Sequence, residues 1–131
     1  MRILVATDGS ELSSRAVDEA IKVAGALEAE LIGVSVVLAP PPADGFDGED
    51  LAVRTRLHDV EARAGAAGLR CSIVAEHAQH VWSGILECAS RNDVDYIVMA
   101  SRGLGSLGSL LLGSETQKVL HAADRPVLVV R

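Results

Sequence analysis

Ala100-Ser101-Arg102-Gly103 and, nine residues further on, Gly113-Ser114 are the residues of this sequence best suited to hold a phosphate. Glycine lets the main chain approach an anion closely. Ser114 offers a hydroxyl and a helix cap, and Arg102 is the only cation near the loop. The stretch that joins them, GLGSLGSLLLGS over residues 103–114, holds four glycines and three serines, with leucine at every other position. Such a stretch is costly to order, so it points to something lying against its backbone. Two familiar glycine templates fail. Gly103-Leu104-Gly105-Ser106-Leu107-Gly108 spells G-x-G-x-x-G, but the dinucleotide fingerprint needs an acidic residue at the end of the next strand, and here that strand ends in Arg131. Gly108 to Ser114 has the spacing of a P-loop without its lysine, and so without the point charge for the outer phosphates.

The remaining candidates are weaker. Asp8-Gly9-Ser10 closes the first apolar run, and Ser10 reads as a helix cap rather than a nucleophile. His77 and His80 have no cysteine or acidic partner at ligand spacing and read as solvated. His58 and His121 fall on helical segments and read as surface residues. Cys71 and Cys88 make no disulfide framework and read as two buried thiols in a reducing compartment. No general base stands beside a nucleophile, and no Ser-His-Asp set is evident. The chain therefore reads as a binding protein, with slow hydrolysis of a bound phosphate compound as its weak upper limit.

Positioning these residues needs strand ends and helix starts, and the sequence supplies both. RILVAT (2–7), LIGVSVVL (31–38), RCSIVAE (70–76), DYIVMA (95–100) and PVLVVR (126–131) read as buried strands. Between them, apolar residues recur at helical spacing: Ala16, Val17, Ala20, Ile21, Ala24 and Leu27; Val53, Leu57, Val60 and Ala64; Val81, Ile85, Cys88 and Ala89; Thr116, Val119, Leu120 and Ala123. APPPADGFDGED, residues 39–50, reads as a solvated surface loop and the most mobile segment. Strict strand–helix alternation implies a parallel sheet with helices on both faces. In the order 3-2-1-4-5 the first and fourth strands are neighbours at the point where strand order reverses, where such sheets collect ligands. Asp8 and the glycine stretch would then meet in one crevice.

The totals agree. The 131 residues fit one domain, 1–131, with 49% hydrophobic residues for a core. Aromatics at 2% leave no base-stacking platform for single strands. A net charge of −6 and no basic face argue against nucleic acid. No segment reaches membrane-span length, and MRILVATDGS is too short an apolar run for a signal peptide, so the expected location is the cytoplasm.

The full pattern resembles the ATP-binding branch of the universal stress protein family, whose nucleotide motif is G-x-x-G, nine residues, then G-(S/T). DGSELSSRAVDEA resembles that family's first strand–helix junction, DYIVMASRGLG its fourth strand and loop, and HAADRPVLVV its closing helix and strand. The resemblance implies an α/β fold: a doubly wound five-stranded parallel sheet, order 3-2-1-4-5, helices on both faces (Rossmann-like). It implies ATP with Mg²⁺ as the cofactor. Adenine would lie near Asp8 and the Val36 backbone, ribose beside Met99 and Ala100, and phosphates on Gly103, Gly113, Ser114, Glu115 and Thr116, with Arg102 in reach. Two departures stand out: Ala100 replaces the motif's first glycine, and AEHAQHVW replaces the usual Gly-x-Pro turn after the third strand.

The leading expectation is a nucleotide-dependent switch in stress response. It acts on an unidentified protein partner and assembles as a homodimer through the uncharged edge run at residues 126–131. A dimeric interaction module that has lost nucleotide binding is the second reading, favoured by Ala100. An adenine-nucleotide group-transfer enzyme is the third, and Thr7-Asp8-Gly9-Ser10 stands where its Ser-Gly-Gly loop would be.

Overall fold

The computed structural model describes residues 1–38, 40, 51–103 and 111–131. The acidic segment read as a mobile loop (39–50, apart from Pro40) and residues 104–110 of the glycine stretch lie outside the described residues. Among the described residues nine elements alternate strictly: β1 (Arg2–Ala6), α1 (Glu11–Leu27), β2 (Glu30–Val37), α2 (Leu51–Ala66), β3 (Cys71–His77), α3 (Val81–Arg91), β4 (Tyr96–Ala100), α4 (Ser114–Ala122) and β5 (Val127–Val130). All strand pairings are parallel, in the order β3-β2-β1-β4-β5. This is the doubly wound α/β sheet that the alternation predicts.

Alternation of side chains along each strand divides the core in two. Ile3, Val5, Leu31, Val98 and Ala100 pack with Ala16, Val17, Val60 and Ala64 of α1 and α2. Leu4, Ile32, Val34, Ile97 and Met99 pack on the other face with Ile85, Cys88 and Val119 of α3 and α4. Both faces are therefore dry, which is why the strands read as unbroken apolar runs. Aliphatic side chains dominate this core: Ile3, Leu4, Leu31 and Ile97 are fully buried. Truncating any of them to alanine should cost about 2–5 kcal/mol.

Several expectations are refined. Cys88 is buried, and desolvation first, then Glu76, pushes its thiol up to about 11. Cys71 is only half-buried, so the sequence reading of two buried thiols holds for one. Its thiol is also raised, chiefly by burial and then by Glu61. His77 is the last residue of β3 rather than part of a loop, and the exposed His80 occupies the N-cap position of α3. β5 stands at the sheet edge beside β4. No helix among the described residues is long and apolar enough to cross a membrane.

Candidate functional site

β1 and β4 are adjacent at the sheet centre, and their carboxyl ends open into a cavity of about 310 Å³. That lies at the small end of the range that holds small-molecule ligands. Asp8, Val36, Met99, Ala100, Arg102, Gly103, Gly113, Ser114, Glu115 and Thr116 all line it. The reversal of strand order thus brings together residues far apart in sequence.

Three helix starts face this region, and they are satisfied differently. α1 caps itself: Ser10 Oγ accepts from Ser13 N at 3.2 Å, and Asp8 Oδ1 accepts from Ser10 N at 2.9 Å. Ser13 Oγ donates to Ser10 O at 2.9 Å and lies 3.2 Å from Thr7 Oγ1, so the β1–α1 turn is closed by its own hydroxyls. α3 has no side-chain bond from its N-cap His80, but Glu115 of α4 accepts from Trp82 N at 2.8 Å and serves in its place. α4 has no such cap. Its N-cap is Gly113, which has no side chain to offer, and its first main-chain bond runs from Gln117 N to Gly113 O at 3.0 Å. The N–H groups of Ser114, Glu115 and Thr116 have no acceptor within the helix. They carry its positive dipole end at the cavity wall.

This geometry corrects several sequence-based roles. Ser114 is not the cap of α4 but its first helical residue, and it is exposed. Glu115 and Thr116 use their side chains elsewhere: the carboxylate on Trp82 N, the hydroxyl as a donor to Ala100 O at 3.0 Å. Their main-chain N–H groups stand at the cavity wall beside these committed side-chain atoms. Gly113 has ordinary extended angles (φ −63°, ψ 155°), so backbone freedom does not explain it. Close approach does. A Cβ there would sit 3.1 Å from Arg102 Cα, and Gly113 N donates to Ser101 O at 2.7 Å, pinching the neck of the loop. Gly103 is tighter still, since a Cβ there would stand 2.5 Å from Asp8 Oδ2. Ala100, the departure from the motif, is 7% exposed and belongs to the core cluster with Val98 and Val130 while also lining the cavity.

Sequence reasoning missed Arg56. It was not among the expected cations, yet it reaches from α2 to line the cavity together with Ser35. Its Nη1 donates to Ser35 Oγ at 3.3 Å, and its Nε is buried with no hydrogen-bond partner among the described residues. Its guanidinium lies against Gly9, whose φ of +82° admits little but glycine. Nothing in the helical spacing of α2 marks Arg56 as a cleft residue.

The family model for the universal stress protein family matches residues 1–131. The chain belongs to the universal stress protein family. A universal stress protein of Thermus aquaticus, from the QAH/OAS sulfhydrylase 3′ region, is 38% identical over 136 residues, covering 98% of this chain and 97% of the relative. The solved structure of a universal stress protein in complex with cAMP superposes with a TM-score of 0.83 at 27% identity, covering 100% of this chain and 97% of that one. A family member from Burkholderia pseudomallei superposes at 0.74 with 29% identity, covering 98% and 93%. The fold of this chain is therefore the Rossmann-like α/β fold of that family. Its family places it among stress-response proteins.

Proposed function

We propose that this universal stress protein binds an adenine nucleotide, ATP with Mg²⁺, in the cavity at the β1/β4 strand ends, and that the bound nucleotide switches its choice of protein partner. The observation that carries the reading is the uncapped start of α4. Among the described residues no side chain caps the start of α4, whose first main-chain N–H groups and positive dipole end stand at a cavity, while one N–H at each of the neighbouring helix starts is met by a side chain. An anion completes such an arrangement. Arg102 adds a cation on the same rim, and Gly113 and Gly103 keep the wall low. At the other end, the reading puts adenine at Asp8 and the Val36 backbone and the ribose beside Met99 and Ala100, all of which line the same cavity. That a structural relative is in complex with cAMP supports the base and ribose half of this reading. Among the described residues no group of three or more His, Cys, Asp or Glu side chains is placed to hold a metal ion. The Mg²⁺ would arrive on the phosphates and neutralise their charge.

The reading of the chain as an interaction module that has lost its nucleotide depends on the Ala100 methyl crowding the ribose. The packing of Ala100 in the α1-side core cluster weakens that objection. Native mass spectrometry tests the proposal: with Mg-ATP the protein should carry one nucleotide per chain. Failure to retain any adenine nucleotide, either co-purified or added, would contradict it. The same reading includes a homodimer through residues 126–131, where Leu128 is 42% exposed on the edge strand β5. Light scattering should find a dimer at micromolar concentration, and Val129→Pro should split it. A monomer in the wild type would remove the dimer from the account.

A further inference from the structure

We infer that Thr116 is a positioning residue of the nucleotide site: its hydroxyl, donating to the Ala100 carbonyl, fixes where the start of α4 stands against the end of β4. The inference rests on the nucleotide reading above and adds a role to it. Residues 101–113 separate β4 from α4, too many for the covalent chain alone to fix the helix start. Its placement depends on contacts made across the neck of the loop. Gly113 N donates to Ser101 O at 2.7 Å, and Thr116 Oγ1 donates to Ala100 O at 3.0 Å. The β1–β4 ladder runs to Val5 and Val98. The Ala100 carbonyl lies past its end, and a side chain from α4 meets it there.

Burial makes this the firmer of two side-chain ties in the first turn of α4. Thr116 is 3% exposed and Ala100 7%, and a hydrogen bond is electrostatically stronger where water is excluded. The other tie, from Trp82 N to Glu115, uses a longer side chain that is 37% exposed and also lies 4.0 Å from Lys118. A β-branched side chain is stiff at χ1, so the threonine hydroxyl holds one direction where the glutamate can give. Ser114, Glu115 and Thr116 share the first turn of α4 at the cavity wall. A shift of that turn moves their main-chain N–H groups together. Such donors serve an anion only when their supporting contacts hold them in place.

Four side chains at this position separate the hydroxyl from the methyl. Wild type and Thr116→Ser carry the hydroxyl, whereas Thr116→Val and Thr116→Ala lack it. Calorimetry with Mg-ATP should sort the four by hydroxyl. Thr116→Val should bind about fivefold more weakly than wild type, and Thr116→Ala more weakly than Thr116→Ser by a similar factor, the worth of one neutral hydrogen bond. Melting curves establish which variants fold, and either pair suffices if the other does not. Equal affinity within a folded pair would overturn the inference and leave the nucleotide reading standing. If wild type binds no nucleotide, that reading fails and the inference with it. Hydrogen exchange in the ligand-free proteins separates positioning from direct contact. The Gly113 N–H crosses the same neck, and it should exchange about fivefold faster in each variant that lacks the hydroxyl. Weaker binding with unchanged exchange would make Thr116 a phosphate ligand itself and overturn its assignment as a positioning residue.

Discussion

The two ends of the cleft are built from different materials. At the β4–α4 end the donors are main-chain N–H groups, backed by glycines that keep Cβ atoms out of the way. At the β1–β2 end the groups are side chains, Asp8 and Arg56, held by bonds to Ser10 N and Ser35 Oγ. A main-chain anion site suits any phosphate and tolerates changes in nearby side chains. A side-chain site discriminates between ligands and depends on individual residues. The α4 end should therefore set affinity for phosphate number, and the β1–β2 end should set which base is taken.

Substitutions can separate the two ends. Gly103 touches both, because its Cβ position is occupied by Asp8 Oδ2. Gly103→Val should therefore have the largest effect, abolishing binding of ATP and adenosine alike in calorimetry. Gly113→Val follows. The added side chain must displace Arg102 and enters the space in front of α4, so ATP binding should be lost while adenosine binding survives. Equal loss of both ligands would show that the ends are not independent. Asp8→Ala should weaken adenosine and ATP by a common factor, about 10- to 100-fold for a hydrogen bond to a charged group. A melting curve is needed beside it, since Asp8 also accepts from Ser10 N. Ser114→Ala should have a smaller effect, a loss of about threefold to tenfold for ATP and none for adenosine. Its hydroxyl is exposed and water can replace it, whereas its main-chain N–H remains. Ala100→Gly should leave ATP affinity equal or slightly higher, in keeping with the methyl's place in the core.

Legibility in the sequence followed the same division. Strands buried on both faces announce themselves as apolar runs, and the 3.6-residue pattern marked all four helices. β-strand order followed from the alternation and the resemblance together. The glycine and serine positions that line the cavity beside α4 were readable because small residues that keep a cavity wall low leave a compositional trace. Their roles were less so: the reading put a cap at Ser114, where the structure puts it at Gly113, and it could not see that Glu115 reaches across to Trp82 N. Arg56 left no trace. Its helix is separated in sequence from every other cleft residue, and its importance depends on the tertiary approach of α2 to Gly9 and Ser35. Such a placement is set by packing, which local periodicity does not encode.

The central claim is that the open start of α4 receives the phosphates of a nucleotide whose base lies toward Asp8. A calorimetric titration of Mg-ATP into wild type and Gly113→Val tests it most directly, with thermal melts to establish that both are folded. The account predicts saturable binding, one ATP per chain, to wild type and none to Gly113→Val. Equal affinity of the two proteins for ATP would contradict it.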